Sequence, residues 1–299
     1  GDADLALTMP ESGRFRVNCL KQRGTIAIIM RHVKAKLPNL QKLNLPVEPM
    51  RKIVELRRGL VLVTGTTGSG KSTTLAGIID MINEARSDHI ITLEDPIEFL
   101  HPDKKSSVIQ REVAIDTLDF KTALRAMMRE DPDVILIGEM RDTETFQACI
   151  SAAETGHMVF STLHTTNVMM TIDRIVDLFP PDQHQQVRSQ LALQLRAIVS
   201  QRLLPAATGQ GRVPAVEIMF NTGATASLIR DNNLKLIPNA IMAGKDEGMQ
   251  TFNMSLAKLV EAGLVSEQDA LLASDNPEEL KMNMRGIFLS QGRGGILKK

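Results

Sequence analysis

The chain has 299 residues, 43% hydrophobic and 23% charged, an ordinary globular composition with enough chain for one large domain or two modest ones. Its 35 Lys and Arg balance 35 Asp and Glu, and Trp and Tyr are absent, which argues against a bulk field for nucleic acid or anionic lipid and against base-stacking platforms. Two cysteines, Cys19 and Cys149, argue against a disulfide framework or a cysteine metal site and fit reduced thiols in a cytoplasmic protein, and no apolar run nears the roughly 20 residues of a membrane span.

Residues 1–36 read as strands. Arg14-Phe15-Arg16-Val17-Asn18 alternates charge and bulk, and Ile26–Met30 is a short β-branched apolar run. The chain opens abruptly, without a turn or cap signal, as though inside a domain. Residues 37–58 contain three prolines and read as a linker with a short helix. From Gly59 the pattern becomes α/β. Leu60–Val63 is a buried-strand run that ends in a glycine-rich loop, and Leu75, Ile78, Ile79 and Ile82 then form a helical stripe. His89–Leu93 is the next strand. Phe120, Leu124, Met127 and Met128 mark a second helix capped by Asp119, followed by the strand Val134–Ile137. Asp142 caps a helix with Phe146, Cys149, Ile150 and Ala153 inward, Gly156 stops it, and His157–Leu163 reads as the fourth strand. The alternation predicts a mostly parallel sheet with helices on its faces. Pro180-Pro181-Asp182 then opens what reads as one long helix through Leu203, and Val213–Met219 as a last strand. From Ala224 to about Gly286 the pattern is helical, with a capping-box spacing at Ser266–Asp269 and Pro277 in a first turn. The Gly- and Lys-rich tail Gln291–Lys299 reads as mobile.

Gly65-Thr66-Thr67-Gly68-Ser69-Gly70-Lys71-Ser72 carries the strongest chemistry. Its glycines let backbone N–H groups approach phosphates. Lys71 is placed to reach the β and γ oxygens, and Ser72 to ligate Mg²⁺, with Thr73 beside it. A strand before the loop and an amphipathic helix after it are the context this motif requires. The expected ligands are therefore ATP and Mg²⁺.

Two acidic clusters follow strands. Asp131-Pro-Asp-Val-Ile-Leu-Ile-Gly-Glu139 ends an apolar strand in an acid, where a P-loop enzyme places its water- or Mg²⁺-directing carboxylate. Leu93-Glu94-Asp95-Pro96-Ile97-Glu98 also follows a strand and belongs on the same sheet edge, so Glu94 and Asp95 are further candidates. His157 and His164 flank the fourth strand on opposite faces, so they do not share a metal. Either is a candidate γ-phosphate sensor, although a lone histidine is more often structural. Arg14, Arg16 and Arg31 lie outside the core. Bare strand arginines are usually solvated, but a subunit-bridging ATPase uses such residues in trans.

Ile91-Thr-Leu-Glu-Asp-Pro-Ile-Glu-Phe99 resembles the aspartate box of the secretion ATPases. Glu139 in Ile-Gly-Glu-Met-Arg-Asp resembles their atypical Walker B, and Thr155–Thr165 their histidine box. With Arg14–Asn18, Gln110–Val113 and Gly248–Phe252, the chain resembles the type IV pilus retraction ATPases of the PilT/PilU type over nearly its whole length. The resemblance implies a RecA-like P-loop ATPase domain with a partial PAS-like N-terminal domain and a helical C-terminal region. The corresponding spans are 1–36 for the later part of the PAS-like domain, 37–58 for the linker, 59–220 for the ATPase core and 221–299 for the helical region and tail. It also implies a homo-hexamer, with Arg16 and Arg31 reaching nucleotide across a subunit boundary. The implied partners are an inner-membrane pilus platform protein and a paralogous PilT-like ATPase, with no nucleic acid and no membrane span. The implied site comprises Glu139, Glu94, Arg16, Arg31 and His164 around Gly65–Thr73. The four-cysteine zinc site usual in the pilus-assembly branch has no counterpart here. Where retraction ATPases carry Ala-Ile-Arg-x-Leu-Ile-Arg-Glu, this chain reads Ala224-Thr-Ala-Ser-Leu-Ile-Arg-Asp231, with Ala226 in place of the first arginine. Together with Gln22-Arg23-Gly24 and Leu43-Asn-Leu-Pro46, that departure favours an accessory, PilU-like member. An assembly or secretion ATPase, a nucleic-acid motor and a nucleotide-binding regulator with little turnover are the alternatives.

Overall fold

The computed structural model describes residues 2–10, 13–33 and 37–286. The tail Gln291–Lys299 lies outside the described residues. The first segment forms an antiparallel sheet of β1 (Ala3–Met9), β2 (Gly13–Gln22) and β3 (Thr25–His32), in that order. Gln22 pairs with Thr25 across a two-residue turn, and both turn residues, Arg23 (φ 46°) and Gly24 (φ 81°), take the positive φ that such a hairpin demands.

Helix α1 (Val47–Glu55) buries Pro49, Met50, Ile53 and Val54, and leads into β4 (Gly59–Thr64). Every β4 residue is buried, as a continuous apolar run predicts for a strand covered on both faces. Then follow α2 (Lys71–Ala85), β5 (His89–Glu94), β6 (Ser107–Glu112), α3 (Phe120–Met127), β7 (Val134–Ile137), α4 (Thr143–Glu154), β8 (Met158–Leu163), α5 (Val168–Val176) and α6 (His184–Gln194). Strands β9 (Leu195–Pro205) and β10 (Arg212–Phe220) precede α7 (Gly223–Arg230), α8 (Ile237–Ala243), α9 (Phe252–Glu261), α10 (Glu267–Ala273) and α11 (Pro277–Met284). The second sheet runs β10-β9-β4-β8-β7-β5-β6, parallel except for β10. The Leu75, Ile78, Ile79, Ile82 stripe of α2 packs on one face of this sheet. Phe146, Cys149 and Ile150 of α4 pack on the other. A third cluster joins Leu204, Val213 and Ala215 to Phe252, Leu256 and Leu280 of the C-terminal helices.

The predicted caps form as expected. Asp119 accepts from Thr122 N–H, Asp142 from Thr145 N–H and Ser266 from Asp269 N–H, and Pro277 opens α11. One expectation fails. The long helix through Leu203 stops at Gln194, and Leu195–Pro205 is strand β9, inserted beside β4. Leu191, Leu195 and Ile198 have helical spacing, yet tertiary pairing converts the second half to a strand buried on both faces, which carries no alternation to announce it. Strand β6 was not anticipated, because Ser-Val-Ile-Gln-Arg-Glu is a polar edge strand.

Candidate functional site

The parallel register brings four strand ends together. Thr64 pairs with Leu163, Ile137 with Ser161, and Leu93 with Ile137. The residues just past these ends are therefore neighbours: Gly65 after β4, Glu139 after β7, and His164 after β8, with Glu94 closing β5. Glu94, Glu139 and His164 line a cavity of about 350 Å³, and Thr67, Gly68, Gly70, Lys71, Ser72 and Thr73 line another side of it.

The loop has the backbone its glycines allow. Gly70 caps α2 at φ 91°. At Gly65 a Cβ would fall 2.4 Å from both Gln201 O and Ser69 Oγ, so only glycine fits there. Lys71 Nζ donates to Gly65 O (2.9 Å) and Thr66 O (3.1 Å), which folds its ammonium back over the loop. Burial pushes the Lys71 pKa down, opposed by the charges of Glu139 and Glu98. Ser69 Oγ is buried with no hydrogen-bond partner among the described residues. A cradle of loop amides, one buried ammonium and an unspent hydroxyl suits a phosphate chain. The residues also suit Mg²⁺ held largely by phosphate and water. Ser72 offers a hard oxygen beside Lys71, and among the described residues no three His, Cys, Asp or Glu cluster into a metal cage.

Glu139 is engaged on both oxygens: Arg141 Nε lies 2.7 Å from Oε2, and His164 Nε2 lies 3.3 Å from Oε1. His164 Nδ1 lies 3.4 Å from Thr67 Oγ1, so this ring bridges the acid and the phosphate loop. Thr162 Oγ1 donates to Gly138 O at 2.6 Å and Met140 N–H to Thr162 O at 3.0 Å, which fixes the turn that presents Glu139. Glu94 sits deeper. Burial raises its carboxyl pKa, partly offset by hydrogen bonds from Thr92 Oγ1 (2.7 Å) and Gln110 Nε2 (3.1 Å). Asp95 lines the same cavity, with Arg141 Nη1 3.7 Å from its carboxylate.

Other predicted residues fall elsewhere. His157 lies at the opposite end of β8, with Nδ1 2.9 Å from Ala152 O and 3.0 Å from Thr155 Oγ1. It closes the turn after α4 and is in no position to sense a γ-phosphate. Arg16 and Arg31 face each other across β2 and β3 and do not line the cavity. Arg14 instead pairs with Glu112 at 3.0 Å, tying the small sheet to the end of β6.

Two residues that sequence reasoning missed support the site. Gln201 Nε2 donates to Ser69 O (2.6 Å), and its Oε1 accepts from Thr74 Oγ1 (2.8 Å), which clamps the phosphate loop to the start of α2. Gln110 donates to Glu94 and to Phe99 O and accepts from His101 N–H. Both sit on strands that the sequence pattern hid, Gln201 inside the misread β9 and Gln110 inside β6.

Comparison with known proteins gives the same picture. The model of the family Type II/IV secretion system protein matches residues 1–279. The chain is 47% identical over 277 residues to the Type IV pilus retractation ATPase PilT of Pseudomonas aeruginosa, covering 93% of this chain and 80% of that protein. It is 39% identical over 284 residues to the Type IV pilus ATPase PilU of the same organism, covering 95% and 74%. A crystal structure of the pilus retraction motor PilT with bound ADP superposes with a TM-score of 0.87 at 48% identity, covering 94% of this chain and 80% of that one.

Proposed function

The chain belongs to the Type II/IV secretion system protein family, and we propose that it is an ATP-hydrolysing motor of type IV pilus retraction. The observation that carries the reading is the bridge from the phosphate loop through His164 to Glu139. Across the end of β8 it joins a nucleotide cradle after β4 to an acid after β7, as hydrolysis of a terminal phosphate requires.

In this reading Lys71 and the loop amides stabilise charge on the transferring phosphoryl group. Ser72 would help to hold Mg²⁺, which would supply charge neutralisation at the phosphate oxygens. Glu139 orients or deprotonates the water while Arg141 and His164 hold its carboxylate. A second assignment has a specific observation behind it: Glu94 lines the same cavity and burial raises its carboxyl pKa, the direction that favours a general base. Arg16 and Arg31, on the small PAS-like sheet, complete the site across a subunit boundary of a homo-hexamer. Hydrolysis would change those contacts and turn nucleotide chemistry into movement of the small sheet against the core. The motor would work in the cytoplasm, docked to an inner-membrane pilus platform; among the described residues no helix is long and apolar enough to cross a membrane.

The accessory, PilU-like assignment rests on Ala226 with Gln22-Arg23-Gly24 and Leu43-Asn-Leu-Pro46, and the higher identity to PilT weighs against it. Ala226 is partly buried and packs against the core rather than standing free on the surface. Expression in cells lacking every other retraction ATPase tests both levels of the proposal. Pilus shortening by fluorescence microscopy marks an autonomous motor. Shortening only beside a PilT-like paralogue marks an accessory one. No shortening in either strain, with ATP hydrolysis intact in vitro, rejects retraction and favours an assembly or secretion role.

A further inference from the structure

A second cavity, of about 390 Å³, lies between β10, the start of α5 and the helices α8, α9 and α11. It shares no lining residue with the nucleotide cavity. Its walls are apolar and adaptable, with Met169, Met242, Met282 and Phe252 among them, and it is lined by Glu217 but by no Lys or Arg.

Glu217 is the unusual element. Its side chain belongs to a sheet strand and is only 8% exposed. Oε2 accepts the Val168 N–H at 2.7 Å, at the first turn of α5. Oε1 accepts no hydrogen bond among the described residues. The neighbouring cation, Arg202, is spent elsewhere. It forms a two-pronged pair with Asp275 (3.0 and 2.7 Å), donates to Ala273 O (2.7 Å) and stacks 4.2 Å over the Phe252 ring. The other acids at the cavity are also engaged: Glu278 pairs with Lys281 at 2.8 Å, and Glu279 accepts from Asn276 at 3.2 Å. Glu217 therefore presents a largely buried carboxyl to the cavity, its one nearby cation, Arg202, being held by Asp275, and burial pushes its pKa up to about 7. An arrangement of this kind is unfavourable until a cation reaches it.

We propose that this cavity receives one basic side chain, a lysine or arginine presented by a partner protein, with its charged head against Glu217 and its apolar stem along the methionines. The chemistry fits a long amphipathic cation, whose alkyl stem packs on apolar walls while the head pairs. Exposed Glu278 and half-buried Glu279 at the rim favour a segment with further positive charge. A seated cation would tie β10 and α5 to the C-terminal helices, and so bind the sheet to the helical region.

The test uses the full chain with ¹³C-methyl methionine and titrates the peptide acetyl-Gly-Leu-Arg-Leu-Gly-amide, followed by NMR. The expected result is movement of the Met169, Met242 and Met282 resonances, with binding at least about tenfold weaker when citrulline replaces the arginine. Glu217→Gln keeps an acceptor for Val168 N–H and should weaken binding by a similar factor. Met242→Lys offers a second route: an ammonium supplied from within should abolish peptide binding without unfolding the protein. Equal binding of the citrulline peptide, or shifts confined to other methionines, would overturn the proposal. N-acetylarginine amide binding as tightly as the peptide would overturn the protein source.

Discussion

Glu139 and Glu94 share a cavity but not an environment, and substitution should separate their roles. Glu139 is held by a guanidinium and an imidazole, whereas Glu94 is half-buried and accepts from neutral donors. An amide at either position keeps the shape and removes the proton acceptor. If Glu139 directs the water, Glu139→Gln should bind nucleotide with turnover reduced by roughly a hundredfold or more, while Glu94→Gln retains measurable hydrolysis. Steady-state ATPase assays with a fluorescent-nucleotide binding control decide it, and a dead Glu94→Gln beside an active Glu139→Gln assigns the base to Glu94. Gln201 gives a second residue-level expectation. Gln201→Ala strips the buried Ser69 carbonyl and the Thr74 hydroxyl of their partner at once. Leaving such groups unpaired costs about 1–3 kcal/mol, so nucleotide affinity should fall by about tenfold or more. Unchanged affinity would mean that the loop holds its shape without that clamp.

At the scale of elements, local signals with a single meaning were legible. Asp119, Asp142 and Ser266 each cap the helix their position announces, because a short acceptor before an amphipathic run has few other uses. The phosphate loop was equally readable, since strand, glycines and helix agree. Leu195–Pro205 was not, because Leu and Ala spacing compatible with a helix is also compatible with a strand covered on both faces, and the pairing with β4 decides between them. That misreading concealed Gln201, and it also concealed the setting of Glu217, which stands opposite Ser200 on the β9–β10 pair. The burial of Glu217 has a measurable consequence. Its folded pKa, about 7, lies above its ordinary value of 4.5, so the folded state holds this proton more tightly than the unfolded chain does. Its contribution to stability is full below about pH 4.5 and is lost as pH rises through about 7, a change of about 3 kcal/mol at most. The charge of Arg202 works against the shift and that of Asp275 with it. The denaturation midpoint of Glu217→Gln, measured against wild type, should therefore rise by a few degrees between pH 5 and pH 8. A difference independent of pH would show that the carboxyl is not held in its protonated form.

At the scale of the whole molecule, the small sheet and the core meet through Arg14, whose ion pair with Glu112 joins β2 to β6 beside the aspartate box. Arg16 lies on the same face of β2, two residues on, directly across from Arg31 of β3. Two like charges at opposing strand positions disfavour the pairing, and among the described residues neither arginine has an ion-pair partner. Such a pair is better accounted for by an anion brought to it than by its own sheet. A nucleotide phosphate held by a neighbouring subunit meets that requirement, and the arginines would then stabilise the charge that develops on the γ-phosphoryl group. Activity per subunit should accordingly rise with protein concentration as rings assemble. Arg16→Ala and Lys71→Ala should each be nearly inactive alone, the first for want of the finger and the second for want of the cradle. Mixed in equal amounts, they should recover a clear fraction of activity, because some boundaries then pair an intact Lys71 with an intact Arg16. Arg31→Ala mixed with Lys71→Ala should behave in the same way, while Arg16→Ala mixed with Arg31→Ala should not recover if both act at one boundary. ATPase assays on rings verified by analytical ultracentrifugation make the comparison. Absence of recovery in proven mixed rings would place the arginines in the site of their own chain.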